Sequence, residues 1–157
     1  MDLGSNVEFF DYIPTWNGNR DLPENEQLSL TIKRLSGATA LSYGNGFGNL
    51  QAWRNRKFKK YLTLDKKGLP VPAYDQEQDI GRSLMEISEA QLSDLRVFVE
   101  HTSNFKNFLF GGEEKTDPLE IYFAIPIDFF GDELNLRFEI LKEIFKTVGL
   151  GEDEVGN

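Results

Sequence analysis

The feature that most constrains the fold is a pair of strand-like segments separated by a turn. Residues 7–13 (VEFFDYI) are rich in β-branched and aromatic residues and stop at a proline. Residues 27–35 alternate, so that Leu28, Leu30 and Ile32 share one face of an extended chain. The NGNRDLP phrase between them combines Asn-Gly, which tolerates positive φ, with a proline that interrupts regular structure. The sequence therefore predicts an antiparallel pair of strands with one buried face.

Capping residues predict two helices in the C-terminal half of the chain. Ser88 and Gln91 have the spacing of a capping box, followed by an apolar face that predicts a helix over about 89–102. Asp117 and Pro118 are typical of an N-cap and a first helical position, and they predict a short apolar helix.

Apolar spacing predicts one more helix near the end of the chain. Asp132 is placed to cap it and Gly149 to end it, and residues 151–157 are predicted to form a frayed acidic tail. Residues 104–112 (NFKNFLFGG) predict a short strand closed by two glycines. The residues expected on the apolar face of the last helix recur at helical spacing: Leu134, Phe138, Leu141 and Phe145.

The middle of the chain differs from both ends in composition. Residues 36–49 hold four glycines among small polar residues and predict a flexible loop. Residues 54–67 predict a short helix or a hairpin and carry seven of the 17 basic residues: Arg54, Arg56, Lys57, Lys59, Lys60, Lys66 and Lys67. We therefore expect a single α+β domain over 1–150, with a small antiparallel sheet, about three helices and a mobile insertion at about 36–79.

Charge and cysteine content restrict the classes of function. The net charge of −9 disfavours nonspecific binding to nucleic acid or to an anionic membrane. The absence of cysteine excludes disulfides, thiol nucleophiles and thiolate metal sites. No basic segment precedes an apolar run at the N-terminus, and the longest apolar stretch, 119–130, is too short to span a bilayer. A soluble cytoplasmic protein is the expectation.

Residues that could carry catalysis each have a simpler structural explanation. The single histidine, His101, falls at a predicted helix end, where the dipole favours a cation. The acidic pairs at 113–114, 132–133 and 152–154 fall at a turn, a helix start and the tail. The GNGFGN run at 44–49 meets neither the P-loop nor the dinucleotide-binding spacing. The sequence therefore predicts no catalytic residue, no metal site and no cofactor.

The basic stretch with interleaved aromatic residues is the best candidate for a binding surface. Cations can hold phosphates while rings stack on bases, which would suit nucleic acid, although the net charge opposes it. Docking on an acidic protein surface and an ordinary solvated face are the alternatives. The aromatic residues before the first turn and the arginine within it form a second candidate patch. The predicted contact residues of both regions are Tyr12, Trp16, Arg20, Trp53, Arg56, Phe58 and Tyr61.

The order of several segments resembles a known family. VEFFDYIPTWNGNRDLPENEQLSLTIKRL is followed by a variable middle, then by FVEHTSNFKNFLFGGEE and ILKEIFKTVGLGEDEVGN. This order is similar to that of the tail assembly chaperones of long-tailed phages, which are encoded near the tape-measure protein. The shared features are an LP-x-x-EQ phrase before a strand, an Asn-to-Gly strand-turn at 107–112 and a final amphipathic helix with an acidic, Asn-terminated tail. The long Gly-rich and basic middle at 36–79 departs from the family, as does the lack of a Lys-Asn terminus.

The resemblance implies a non-enzymatic protein without transferable catalytic residues. Such a protein would act in the host cytoplasm, keep the tape-measure protein soluble and help to recruit tail-tube subunits, either alone or as a homo-oligomer. Two alternatives stay open. The first is a structural virion component, such as a tail-completion or neck protein, and the second is a nucleic-acid-binding accessory protein that uses residues 53–67.

Overall fold

The computed structural model describes residues 8–43, 46–73, 78–125 and 135–156, which form an α+β fold. The strands are β1 (Phe9–Tyr12), β2 (Ser29–Lys33), β3 (Leu62–Leu64), β4 (Pro70–Pro72), β5 (Thr102–Lys106), β6 (Leu109–Phe110) and β7 (Glu113–Glu114). The α-helices are α1 (Gly37–Tyr43), α2 (Phe47–Lys57), α3 (Gln78–Glu86), α4 (Glu89–His101), α5 (Pro118–Ala124) and α6 (Leu136–Gly156). Short 3-10 helices cover Trp16–Asp21 and Glu24–Glu26. The α+β class is confirmed, with six α-helices in the described residues against about three expected.

The predicted strand pair is confirmed. Strands β1 and β2 are antiparallel, with Phe10 opposite Ile32 and Tyr12 opposite Leu30, and β5 joins the other side of β2. Leu30 and Ile32 are fully buried, as their alternation predicts. One face of this three-stranded sheet therefore belongs to the core, and the other carries the polar partners of the alternation.

The turn between β1 and β2 is held by a buried amide. Asn17 and Gly18 both have positive φ, 51° and 73°, as the Asn-Gly pair predicts. The buried Asn19 side chain donates to the carbonyls of Pro14 (2.8 Å) and Leu28 (3.0 Å), and its Oδ1 accepts from the Leu28 amide (2.7 Å). Because the side chain satisfies three backbone groups, it directs the chain into β2 without any ligand.

Both predicted caps are present. Ser88 Oγ accepts from the Gln91 amide at 3.2 Å, and the Gln91 side chain accepts from the Ser88 amide at 3.3 Å, so α4 begins with a capping box. Asp117 Oδ1 accepts from the Leu119 amide at 3.1 Å, and Pro118 occupies the first turn of α5. The caps therefore fix where both helices begin.

Helix α4 lies at the centre of the core, in contact with β2, α2, α5 and α6. Its Phe98 ring is buried and stacks on Phe105 of β5, with centroids 6.1 Å apart. On another side the same ring meets Tyr122 of α5 edge-on at 5.4 Å. One aromatic side chain thus joins the sheet to the helical layer.

The last helix is longer than expected. Helix α6 continues through Gly149 to Gly156, so the predictions that Gly149 ends it and that a frayed tail begins at 151 are wrong. Glycine allows a helix to end in the left-handed conformation but does not force it to, and within a helix it costs only about 1 kcal/mol. The predicted cap, Asp132, lies outside the described residues.

The apolar face predicted for this helix is also partly wrong. Leu141 is buried as expected, but Phe138 and Phe145 are 42% and 46% exposed. The face that enters the core is formed instead by Leu136, Ile140 and Ile144. Two overlapping apolar stripes exist in this sequence, and the aliphatic stripe with i, i+4, i+8 spacing is the one that packs. Leu134 lies outside the described residues.

The middle segment contains regular structure. The prediction of a loop over residues 36–49 is wrong for the described part, where α1 and the start of α2 lie. The basic stretch was expected to be a helix or a hairpin, and it forms both, since α2 is followed by the β3–β4 hairpin. Leu50 and Leu62 from this segment are buried in the core. Burial of a few large side chains against the rest of the fold therefore stabilises helices in a segment whose own helix propensity is weak.

The segment predicted to be one short strand at 104–112 is extended, but it forms parts of two strands that belong to different sheets. Strand β5 ends at Lys106, and β6 then pairs with β7 across Gly111 and Gly112, whose φ values are 61° and 84°. Two consecutive positive φ angles are typical of a tight hairpin turn, which explains the glycine pair. Asn107 also has positive φ, and its side chain donates to the carbonyl of Gln27 at 2.8 Å, tying this region to the turn before β2.

Candidate protein-docking surfaces

The N-terminal turn brings together two of its three predicted contact residues. The Arg20 guanidinium lies 5.8 Å from the centre of the Tyr12 ring, and its Nε donates to the Ile13 carbonyl at 2.8 Å. Trp16 is 37% exposed at the start of the 3-10 helix. Tyr12 and Arg20 therefore form one partly apolar edge, and a contact role for them and for Trp16 stays a prediction.

Glu139 of α6 fixes this turn to the helical layer. Its carboxylate accepts from the Tyr12 hydroxyl at 2.5 Å and from the Thr15 amide at 2.7 Å. Burial raises the pKa of Tyr12 above its usual range, and the hydrogen bond to Glu139 raises it further. Tyr12 therefore stays a neutral donor, and much of its side chain is occupied by a structural contact.

The three aromatic residues predicted as contacts in the basic stretch are core residues. Trp53, Phe58 and Tyr61 are only 3%, 5% and 4% exposed, and the Trp53 and Phe58 rings meet edge-on with centroids 5.3 Å apart. The prediction of surface contacts is wrong for these three, because the residues pack under the basic side chains and not between them. Buried rings also cannot stack on bases, which removes the aromatic half of the nucleic-acid interpretation.

A carboxylate on α4 holds helices α1 and α2 in place. Glu100 accepts a hydrogen bond from the Trp53 indole at 2.6 Å and another from the Tyr43 hydroxyl. The Arg96 guanidinium stacks over the Tyr43 ring at 4.2 Å and pairs with Glu100 at 3.9 Å. Burial and the bond to Glu100 raise the pKa of Tyr43, which keeps it a donor. Glu100 is therefore the polar centre of the contact between the middle segment and the core.

The basic side chains divide into one structural arginine and an exposed group. Arg54 is buried, and its guanidinium donates to the Leu84 carbonyl of α3 at 3.2 Å. The exposed group is Arg56, Lys57, Lys59, Lys60, Lys66 and Lys67. Arg56 therefore lies on the surface, as a predicted contact residue should, in a cluster of like charge at the end of α2 and in the β3–β4 hairpin.

The tip of the β3–β4 hairpin is preorganised. Asp65 Oδ1 accepts from the amides of Lys67 (2.8 Å) and Leu69 (2.9 Å), and Gly68 has a φ of 80°. Leu64 and Leu69 at its two sides are 66% and 57% exposed. We call residues 64–69 the hairpin tip. Two leucines and two lysines are presented there on a fixed backbone, an arrangement that the LDKKGL sequence could have predicted from its turn residues.

A second apolar surface lies on α6. Phe138, Leu141 and Phe145 follow i, i+3, i+7 spacing and form what we call the α6 face. Phe138 and Leu141 line one side of a crevice of about 230 Å³ that α4 and α5 complete. Helical spacing predicts a core position for both phenylalanines, and only the competing aliphatic stripe in the sequence indicates that they could be exposed.

The crevice beside the α6 face is lined by an arginine and an aspartate, Arg137 and Asp94. The Arg137 guanidinium stacks 4.3 Å above the Tyr122 ring and donates to the Tyr122 carbonyl at 3.2 Å. Burial raises the pKa of Asp94, and the positive charge of Arg137 opposes that rise. The apolar face thus has a polar rim, which is the usual anatomy of a protein contact surface.

The outer face of the three-stranded sheet forms an open polar groove of about 1080 Å³, which we call the sheet groove. Across it, Asn104 donates to Thr31 at 3.2 Å and Thr31 donates to Asp11 at 3.0 Å, linking all three strands. The charged side chains that line the groove are Asp11, Glu24, Lys106 and Glu114. Three of these four charged side chains are acidic, so the described lining of the groove carries an excess of negative charge.

The single histidine is buried and neutral. His101 Nδ1 donates to the Val97 carbonyl at 2.8 Å, and the Tyr43 ring meets the imidazole edge-on at 5.9 Å. Burial lowers the pKa of His101, so the sequence-based explanation of a helix-end cation is wrong. Among the described residues, no group of three or more histidine or carboxylate side chains is placed to hold a metal ion.

Acidification is expected to destabilise the fold through His101. Its pKa is lowered in the folded state, so the unfolded chain takes up the proton first, at about pH 6.5. Stability is then complete above that pH and falls as the pH drops towards the folded-state pKa. Urea unfolding at pH 7.5 and 5.5 should show a smaller loss of unfolding free energy for His101→Gln than for the native protein. Equal losses in the two proteins would contradict this assignment.

Comparisons with known proteins give no relative. No protein-family model, no curated protein and no solved structure matches the chain. Among the described helices, none is both long enough and apolar enough to cross a membrane.

Proposed function

We propose that this protein is a non-enzymatic assembly factor that binds other proteins, and specifically a tail assembly chaperone of a long-tailed phage acting in the host cytoplasm. The observation that carries this proposal is the α6 face, where two phenylalanines one heptad apart are exposed on a long helix. Large exposed aromatic residues on a rigid element are typical anchors of protein contacts.

The spacing of the α6 face suits a helical client. Two side chains at i and i+7 lie on one stripe, so an amphipathic helix laid along α6 could bury both rings. Leu141 between them and the adjoining crevice extend the apolar area, while Arg137 and Asp94 supply a polar rim. A tape-measure protein, as a long helical client, would offer such a stripe, and the order of sequence segments noted above supports this choice of partner.

The net charge supports the same role. A charge of −9 keeps a protein soluble while it binds an apolar client. Tail-tube subunits are the second proposed partner, and the surface we propose for them is the edge formed by Tyr12 and Arg20 together with the exposed Trp16. It lies on the Glu139 side of α6, so that both partners could be bound at once.

Co-expression tests the proposal. The probe is the tape-measure protein of the same genome, and the measurement is its soluble fraction with native protein or with Phe138→Ser/Phe145→Ser. We expect the native protein to keep the client soluble and the double variant to lose most of that effect. Leu22→Ser/Leu109→Ser is the matched control, because both leucines are exposed and lie outside α1 and α4, the helices that contact α6. Equal behaviour of the two variants, or no effect of the native protein, would contradict the proposal.

The alternative of a structural virion component is decided by particle composition. A chaperone should be missing from purified mature particles, whereas a tail-completion or neck protein should be present at a fixed ratio.

The nucleic-acid alternative is supported only by the exposed cations of the basic stretch, because its aromatic residues are buried. It predicts binding to single-stranded DNA that weakens steeply with salt.

A further inference from the structure

We propose that this protein self-associates head to tail, with the hairpin tip of one copy docked in the sheet groove of the next. The proposal goes beyond the function above and does not depend on it. It starts from the uneven distribution of charge. Residues 54–67 hold seven basic residues and one acid, a local charge of +6, and the hairpin tip contributes two of these cations, Lys66 and Lys67, together with the acid, Asp65. The rest of the chain holds ten basic residues and twenty-five acids, a charge of −15, and the two parts together give the net −9.

The hairpin tip has the properties of a docking element. Its one acid, Asp65, is used internally as the acceptor for two backbone amides, so it holds the turn in shape. Lys66 and Lys67 are exposed at the turn, and Leu64 and Leu69 flank them. Because the backbone is already ordered, little conformational entropy is lost when the tip binds. A partner would need acidic groups around a partly apolar floor.

The sheet groove offers such a floor within the same chain. Among the described residues that line it, Asp11, Glu24 and Glu114 outnumber one cation, Lys106. Ile13 is exposed at its edge and supplies apolar contact. Its volume of about 1080 Å³ is large enough for several side chains. Charge complementarity with the tip therefore points to a second copy of this chain as the occupant.

The two surfaces lie on different parts of the fold. Strand β4 packs on α3, and α3 contacts α5, whereas the sheet packs on α4 and α5 through its inner face. Helices thus separate the hairpin from the outer face of the sheet, so each copy can offer both surfaces to different neighbours. A contact between two unlike surfaces is heterologous, and it generates a ring or an open chain of copies instead of a closed symmetric dimer.

Charge reversal tests the pairing with the full-length protein. Sedimentation velocity should show concentration-dependent association of the native protein that weakens between 50 and 500 mM salt, roughly as exposed charge pairs do. One variant, Lys66→Glu/Lys67→Glu, reverses the tip, and a second, Glu24→Lys/Glu114→Lys, reverses the groove. Each alone should associate at least about tenfold more weakly, because like charges then face each other. An equimolar mixture restores both complementary contacts and should associate like the native protein.

Controls separate this proposal from a general effect of charge or of misfolding. Lys142→Glu/Lys146→Glu changes the net charge by the same amount as the tip variant, but on α6. This control should associate like the native protein. Leu64→Ser/Leu69→Ser keeps every charge and should still weaken association. A native protein that stays monomeric, a tip variant that associates normally, or a mixture that does not recover would each overturn the proposal. The Phe138→Ser/Phe145→Ser variant should self-associate normally, so failure of the client proposal is distinguishable from failure of this one.

Discussion

Replacing Glu100 by alanine is expected to loosen the attachment of helices α1 and α2 to the core and to lower the unfolding free energy by about 3–5 kcal/mol. The carboxylate accepts from both the Trp53 indole and the Tyr43 hydroxyl, and hydrogen bonds to a charged group contribute about 1.5–3 kcal/mol each. Its removal would also leave Arg96 without its ion-pair partner. The middle segment would then keep its apolar contacts but lose the polar anchor that orients them.

Two measurements check this expectation. Urea unfolding gives the loss of stability, and Trp53 emission should shift to the red as the indole becomes hydrated. A Trp16→Phe background isolates that signal, because the chain has two tryptophans. Glu89→Ala is the matched control on the same helix, where the exposed carboxylate contributes only a few tenths of a kcal/mol through the helix dipole. An unchanged Trp53 spectrum in Glu100→Ala would show that apolar burial alone positions the segment.

Sequence reasoning succeeded where a local rule determines the structure. The alternation around Leu30 and Ile32, the capping box at Ser88 and the Asp117 cap each depend on neighbours within a few residues. Such signals can be read without knowledge of the rest of the fold. The glycine pair at 111–112 belongs to the same class, because two positive φ angles are a local requirement.

Predictions from the sequence were wrong where the burial of a side chain depends on residues that are distant in sequence. Trp53 appeared to be a surface ring because basic residues surround it in sequence, yet its indole meets Glu100, 47 positions away. Phe138 and Phe145 appeared to be core residues because they share a helical stripe, yet Ile140 and Ile144 compete for the same core and fill it. Neither outcome can be derived from residue spacing alone, since both depend on which side chains pack against the rest of the folded core.

The burial of the predicted contact rings and the exposure of the predicted core phenylalanines change which residues form the candidate surfaces. When the rings of the basic stretch are buried, its exposed part reduces to cations and the two leucines of the hairpin tip. When the aliphatic stripe fills the core, the phenylalanines of α6 become available to a partner. Apart from Leu141, which is buried, both surfaces consist of side chains that stay exposed when the core is complete, each on a regular element of the fold.

Gly81→Val is expected to detach the hairpin from α3 and to lower the unfolding free energy by roughly 1–3 kcal/mol, as overpacking of a well-packed site does. A Cβ at this position would lie 2.7 Å from the Tyr61 carbonyl oxygen and 3.1 Å from Pro72 Cβ. The carbonyl cannot simply move away, because it accepts the Ala73 amide at 2.9 Å and so closes the base of the hairpin. Urea unfolding measures the loss, and Gly81→Ala should show the same direction with a smaller size.

A matched glycine in another helix separates the clash from a general helix effect. Gly48 in α2 has no atom within 4 Å of the corresponding Cβ position, so Gly48→Ala should stabilise the protein by roughly 0.5–1 kcal/mol. Gly81→Ala gains the same helix propensity, and a net loss there must come from the contact with Tyr61. At a temperature where the Gly81 variants stay folded, they should also self-associate more weakly than the native protein. The reason is that a hairpin detached from α3 no longer holds its tip in a fixed position. Stabilisation by Gly81→Ala to the same extent as Gly48→Ala would mean that the hairpin is free to shift, and that its packing on α3 does not orient the tip.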